Sequence, residues 1–247
     1  MVENRGKFSR EKMLKRQKIE KIGSRLVRCR KQCDNVKKDK VWYAVYGTNL
    51  NEQRFSCYIK GGTPEGTSKP DVGCRDKTPA VDGGMISIPF QLYFAKSSPK
   101  WENKSVGFLG LEVDPTIRTL GRKYLITKEQ FEDVFRQENK VSMKQTFNID
   151  FIEAREKGAL IVKESLYGRV IFLGIEEGFP IFTLTAYWDY NPEEVLPPSS
   201  NYLKHIIKGI RQTHNISDDK ILEYLSQKPG ISNHLSEKDL LNIIQGS

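Results

Sequence analysis

Val41-Trp42-Tyr43-Ala44-Val45-Tyr46 is a run of six apolar residues, rich in aromatic and β-branched types, that ends in Gly47-Thr48-Asn49-Leu50. Such a run predicts a buried strand. The glycine and the two short polar residues after it predict a sharp turn at the strand's end. A turn in that place aims several backbone N–H groups at one spot, which can hold a carboxylate or an oxyanion.

A chain of 247 residues with 38% hydrophobic and 10% aromatic content can bury a core of one large domain or two small ones. No apolar run approaches the roughly 20 residues of a membrane span, and the N-terminus lacks the apolar stretch of a secretory signal. The four cysteines, Cys29, Cys33, Cys57 and Cys74, form no close CxxC pair, and the three histidines lie far from them. A zinc site is therefore not expected. Reduced thiols in a cytoplasmic protein are the simplest reading.

The net charge of +9 is uneven: residues 1–40 carry 15 Lys and Arg against five acids, a surplus of +10, and the rest carries 25 against 26. The expectation is a basic arm over 1–40, partly helical or disordered, with a helix from a Ser9 cap to about Leu26. An arm of this kind attracts polyanions without specificity. Its plain alternative is a solvated extension.

From Lys40 onward the pattern alternates strands with turns. Strands are expected at Met85–Phe94, Val106–Val113, Arg122–Ile126, Ala159–Val162, Arg169–Leu173 and Pro180–Ala186. A punctuated loop runs from Gly61 to Gly84, long enough to suggest a function of its own. Thr127-Lys128-Glu129-Gln130 is a capping box that starts a helix with Phe131, Val134 and Phe135 on its apolar face. A second helix is expected from Phe147 to Lys157, closed by Gly158. Helices follow from the Pro198-Ser199-Ser200 stretch, from Ser217 and from Ser236. No internal repeat is present. The order predicts an α+β fold, a small closed, mostly antiparallel β-barrel with flanking helices and a helical C-terminal tail, divided as 1–40, 41–214 and 215–247.

Glu138 stands out among the titratable residues. It lies seven positions after Phe131, so it returns to the same helical face and points inward, away from the side expected for Arg136 and Gln137. A carboxyl on an apolar face should have a raised pKa, as a general base requires. The plain alternative is a fraying or ion-paired helix-end acid. Glu112 is a second candidate acid. Cys74 is read as a structural loop residue, and His205 and His214 as exposed. No P-loop, Gly-x-Gly-x-x-Gly or Gly-x-Ser-x-Gly pattern occurs.

Tyr46-Gly47-Thr48-Asn49-Leu50, with Arg54 four residues on, resembles the Tyr-Gly-Ser-Asn-Leu loop of the γ-glutamylcyclotransferase-like proteins. Leu125-Ile126-Thr127-Lys128 through Phe131 and on to Gln137-Glu138 resembles the family's segment ending in its catalytic glutamate. Pro198 through Tyr202 to Gly209 resembles its closing segment. Together these span roughly residues 41–225. The chain departs from the pattern in Thr48, which keeps the serine hydroxyl but adds a methyl, and in the basic arm and the Gly61–Gly84 loop.

The resemblance implies a cofactor-free, metal-free enzyme acting on a small γ-glutamyl amide. The substrate's α-amine attacks its own γ-carbonyl and releases 5-oxoproline and an amine. It implies an anion-binding loop at Tyr46, Gly47, Thr48, Asn49 and Leu50, Glu138 as general acid and base, and Tyr46 or Tyr167 as pocket walls unless they are simply core aromatics. Two other readings stand beside it: a non-catalytic barrel that binds a small carboxylate, and a nucleic-acid-associated protein that works through its arm.

Overall fold

The computed structural model describes residues 39–67 and 69–247. The basic arm, its Ser9–Leu26 helix, Cys29 and Cys33 fall outside the described residues.

The predicted first strand lies inside the sheet, with a neighbour on each side. β1 (Lys40–Val45) is buried at every position after Lys40, as the uninterrupted apolar run requires of a strand covered on both faces. It pairs antiparallel with β5 (Thr119–Thr127) and parallel with β8 (Phe179–Thr185). The six-stranded sheet is completed by β2 (Asp82–Ile88), β6 (Ala159–Ile161) and β7 (Arg169–Glu176), in the order β2-β5-β1-β8-β7-β6. β3 (Leu92–Ser98) and β4 (Lys104–Leu109) form a separate hairpin. All pairs are antiparallel except β1 with β8.

The expected closed barrel is not formed: β2 and β6 are the free edges of an open sheet. Two features keep it open. The predicted Met85–Phe94 strand breaks at Pro89, which has no N–H for a ladder, so the chain leaves the sheet and re-forms as β3. In addition, β1 and β7 already occupy both sides of β8. The hairpin therefore reaches β8 through a side chain: the Thr185 hydroxyl accepts from Leu109 N at 2.9 Å and donates to Leu109 O at 3.0 Å.

Six α-helices occur among the described residues. α1 (Glu52–Lys60) is capped by the Asn51 side chain, which accepts from Gln53 N and Arg54 N, and Phe55 stacks on Tyr124 at 3.9 Å between ring centres. α2 (Lys128–Glu138) begins with the predicted capping box, both of its hydrogen bonds present. Phe131, Val134 and Phe135 are fully buried, and Phe131 meets Tyr43 edge-on at 5.3 Å. α3 (Phe151–Lys157) starts four residues later than expected, at an Asp150 cap. Phe147 is used elsewhere, stacked on Phe135 and covered by the Arg136 guanidinium.

Arg136 is accordingly buried, not turned to water. It donates to Ser142 O at 2.7 Å and Gln145 O at 2.8 Å, which fixes the connection between α2 and α3. α4 (Ser200–His214), α5 (Asp218–Ser226) and α6 (Glu237–Gln245) follow as predicted. Ile221, Leu225, Leu240 and Ile244 join the same core as the sheet.

The Gly61–Val81 segment is tied down along α2. Gly73 N donates to Gln137 Oε1 at 3.1 Å, Arg75 N to Asp133 Oδ2 at 2.9 Å, and Gln130 Nε2 to Thr78 O at 2.8 Å. Gly73 has φ +84°, and a Cβ there would lie 2.5 Å from Gly61 N, so only glycine fits.

Candidate functional site

A cavity of about 420 Å³ opens where β1 ends. Its floor is the turn Gly47–Asn49. One wall is the C-terminal end of α2 with Glu138, and another is α1 with Arg54 and Tyr58. The segment around Asp71, the Pro99–Trp101 turn and the aromatic rings of Tyr167 and Tyr202 close the rest.

The floor is a one-turn 3-10 helix, Thr48–Leu50. Leu50 N donates to Gly47 O at 3.0 Å and Asn51 N to Thr48 O at 3.1 Å. The N–H groups of Thr48 and Asn49, at the start of the turn, have no acceptor within it. The Leu50 N–H, by contrast, is used inside the turn. Leu50 itself is a core residue with no exposed surface. Gly47 has φ −104°, outside the left-handed region. A Cβ there would lie 3.2 Å from the Tyr202 hydroxyl, a tight contact that would require that hydroxyl to shift.

Asn49 ties this floor to Glu138. Its carbonyl accepts from the Tyr124 hydroxyl at 2.9 Å, and its amide Nδ2 donates to Glu138 Oε1 at 3.4 Å. Glu138 thus faces inward, as its spacing predicts, and lines the cavity. Burial pushes its carboxyl above the ordinary value. The Tyr58 hydroxyl, Arg54 and Lys100 pull it back down in part, and Asp71 raises it again.

Arg54 lies under the surface with its side chain 1% exposed. It is ion-paired with Asp71 and packed on the Tyr58 ring at 4.4 Å. Asp71 also accepts from Lys100 Nζ at 3.0 Å. The tyrosines stay neutral: burial holds Tyr46, Tyr58 and Tyr167 well above their usual range and Tyr202 at about 12. Tyr46 donates to Leu184 O, and Tyr167 to Gly107 O, whose N–H donates to Tyr202 Oη. Both Tyr46 and Tyr167 line the cavity and also pack in the core.

Other candidates lie elsewhere. Glu112 is exposed at the surface. Cys74 is buried, its thiol pushed up to about 12 by burial first and Asp133 next, the signature of an inert thiol. His205 is 6% exposed, contrary to expectation, because α4 turns it inward beneath the Gly61–Val81 segment. Its Nε2 lies 3.1 Å from Glu65 O and its Nδ1 3.3 Å from the Asn51 amide. No cluster of three or more His, Cys, Asp or Glu arranged for a metal ion occurs among the described residues, and no helix there is long and apolar enough to cross a membrane.

Asp71 and Tyr58 carry no motif of their own, and only folding brings them to Glu138. Asp71 lies in the segment the sequence marks as unusually long, which was the single available signal.

Glu138's raised pKa has a stability consequence. The fold favours the protonated carboxyl, so its contribution is present below the unfolded value of about 4.3 and is lost as pH rises through the raised folded value. Glu138→Gln, which cannot ionise, is expected to match the wild type in thermal stability near pH 4 and to exceed it at pH 8. A melting series across that range checks this, and a gap that is constant with pH would contradict it.

No family model matches the chain. It is 32% identical over 203 residues to a protein named Histone deacetylase 5 from Arabidopsis thaliana, a match covering 76% of this chain and 30% of that protein. The chain thus spans about a third of the length of the curated relative it matches. Among solved structures it is similar to one named Gamma-glutamyl cyclotransferase, with a TM-score of 0.45 and 13% identity over 85% of this chain and 100% of that one. It is also similar to an uncharacterized protein from Homo sapiens, with a TM-score of 0.43 and 14% identity over 84% of this chain and 99% of that one.

Proposed function

We propose that this chain is a γ-glutamylcyclotransferase-like enzyme that cleaves a γ-glutamyl amide by intramolecular aminolysis, releasing 5-oxoproline and an amine. One observation carries the reading. A carboxyl with a raised pKa, Glu138, shares one cavity with the uncommitted N–H groups of Thr48 and Asn49, and the Asn49 amide spans the two.

The reaction asks little of the protein beyond orientation and proton movement, because nucleophile and electrophile belong to one molecule. In this reading the N–H groups of Thr48 and Asn49 hold the substrate's α-carboxylate or the developing oxyanion. Glu138 removes a proton from the α-ammonium, whose reference pKa is about 8. The freed amine attacks the γ-carbonyl carbon and forms the ring C–N bond, which leaves one extra proton on the ring nitrogen. Glu138 gives the first proton to the leaving nitrogen as the old C–N bond breaks, then takes the extra proton from the ring nitrogen and passes it on, so that 5-oxoproline forms and the amine departs as its ammonium. A base of normal carboxylate strength would be poorly matched to that ammonium, and burial narrows the gap. Tyr58, Tyr167 and Tyr202 supply neutral walls that keep bulk water from the charges.

The purified chain, incubated with γ-glutamyl amines and γ-glutamyl dipeptides, is expected to release 5-oxoproline in step with free amine. Absence of 5-oxoproline across such a panel would remove the cyclotransferase reading. The cavity would then be a site that binds a small carboxylate without turning it over.

A further inference from the structure

We infer that the cavity favours substrates whose leaving amine carries negative charge beyond the single α-carboxylate of an ordinary amino acid, an acidic amino acid being the simplest such group. The inference rests on the cyclotransferase reading for the word "leaving", and on the charge of the cavity rim for the rest.

The ionisable groups of the cavity divide into an interior set and a rim set. Inside, Arg54 and Glu138 are balanced by Asp71 and Lys100: two cations face two carboxylates. When Glu138 holds the substrate's proton, that set is left with one positive charge. At the rim, Lys69 from the segment before Asp71 and Lys140 from just after α2 line the opening. Neither has a carboxylate partner among the described residues, and no acid of the rim offsets them.

With the α-carboxylate held by the turn Gly47–Asn49, the first of the two roles given to that turn above, the glutamyl half of the substrate is provided for. The cations left over therefore face the other half of the molecule. A cationic leaving group would meet like charges from two chain segments, whereas an anionic one would gain from both.

The neighbouring groove is lined by Asp189 and Glu194. Asp189 accepts from the backbone N–H groups of Leu111 and Tyr190, and Glu194 is ion-paired with Lys96.

The test uses the full chain carrying Glu138→Gln, so that binding is measured without turnover. Calorimetric titration with γ-glutamyl-glutamate, γ-glutamyl-glutamine and γ-glutamyl-lysine should give affinities in that order. Each change of one charge should be worth about fivefold at low salt, the usual scale of exposed charge pairs. Adding Lys69→Glu and Lys140→Glu should flatten or reverse the order, and molar salt should flatten it in the unreversed protein.

Equal affinities for all three, tightest binding of the lysyl conjugate, or no binding of any at millimolar concentration would overturn the inference. Wild-type 5-oxoproline release, measured in parallel, separates the two readings. The charge order without turnover leaves the inference standing and removes the enzyme, and turnover without the charge order does the reverse.

Discussion

Glu138→Gln is expected to leave the fold intact and to lower 5-oxoproline formation by a factor of about 100 to 10,000, the range over which a positioned general acid–base group acts. Glutamine keeps the side chain's length and an acceptor oxygen, so the contact from Asn49 Nδ2 survives. It cannot take a proton from the substrate ammonium, and no second carboxylate is free to do so. Asp71 is the other acid of the cavity, and it is held by Arg54 and Lys100. A wild-type rate that falls on acidification should do so above the ordinary glutamate value, because burial raises Glu138. That acid limb should vanish from whatever residual activity the variant keeps. The measurement is the rate against pH for both proteins, with their melting temperatures alongside. A variant within threefold of wild type would remove Glu138 from the chemistry.

The same residue shows what the sequence discloses and what it conceals. The position of Glu138 is legible because it follows from one periodicity: a capped helix, three apolar residues and a seven-residue step. Its surroundings are not. Arg54, Tyr58 and Asp71 reach it from two other segments, and no spacing rule relates them to α2. The strands are legible for the same local reason, yet the closure of the sheet is not. An open edge and a closed barrel have the same alternation, and the break at Pro89, which sends β3 and β4 into a hairpin of their own, lies inside a run that alternates well on both sides. His205 reads as a surface histidine because its helix carries polar neighbours. Its burial depends on the Gly61–Val81 segment folding over it, and that segment's path is set by Asp133, Gln130 and Gln137 on α2. Leu50 belongs to the turn by sequence, but its N–H is consumed in forming that turn.

Gly209→Ala is expected to destabilise the protein by about 2–3 kcal/mol, within the range of overpacked sites, and to impair the cavity although Gly209 does not line it. Gly209 lies in the third turn of α4, where its backbone is ordinary helix, so conformational freedom is not what demands glycine. Space does. A Cβ at this position would lie 2.4 Å from both the carbonyl carbon and the Cβ of Leu50, and 2.5 Å from Asn51 N. Two of those three atoms are backbone and cannot rotate away.

The substitution must therefore push α4 off the turn Thr48–Leu50 or push the turn into the cavity. The first uncovers Leu50 and the Ile206 and Ile210 surface beside it, all without exposed area in the native fold. The second displaces the N–H groups of Thr48 and Asn49 and the Asn49 bridge to Glu138. At an exposed helix position the same change would stabilise, since alanine is the better helix former by about 1 kcal/mol, so the sign of the effect is itself the test. A domain of this size should lose about 5–10 °C in melting temperature, with loss of 5-oxoproline formation at temperatures well below the transition. A melting temperature equal to or above wild type would mean that α4 does not seat directly on the turn, and the floor of the cavity would need a different support.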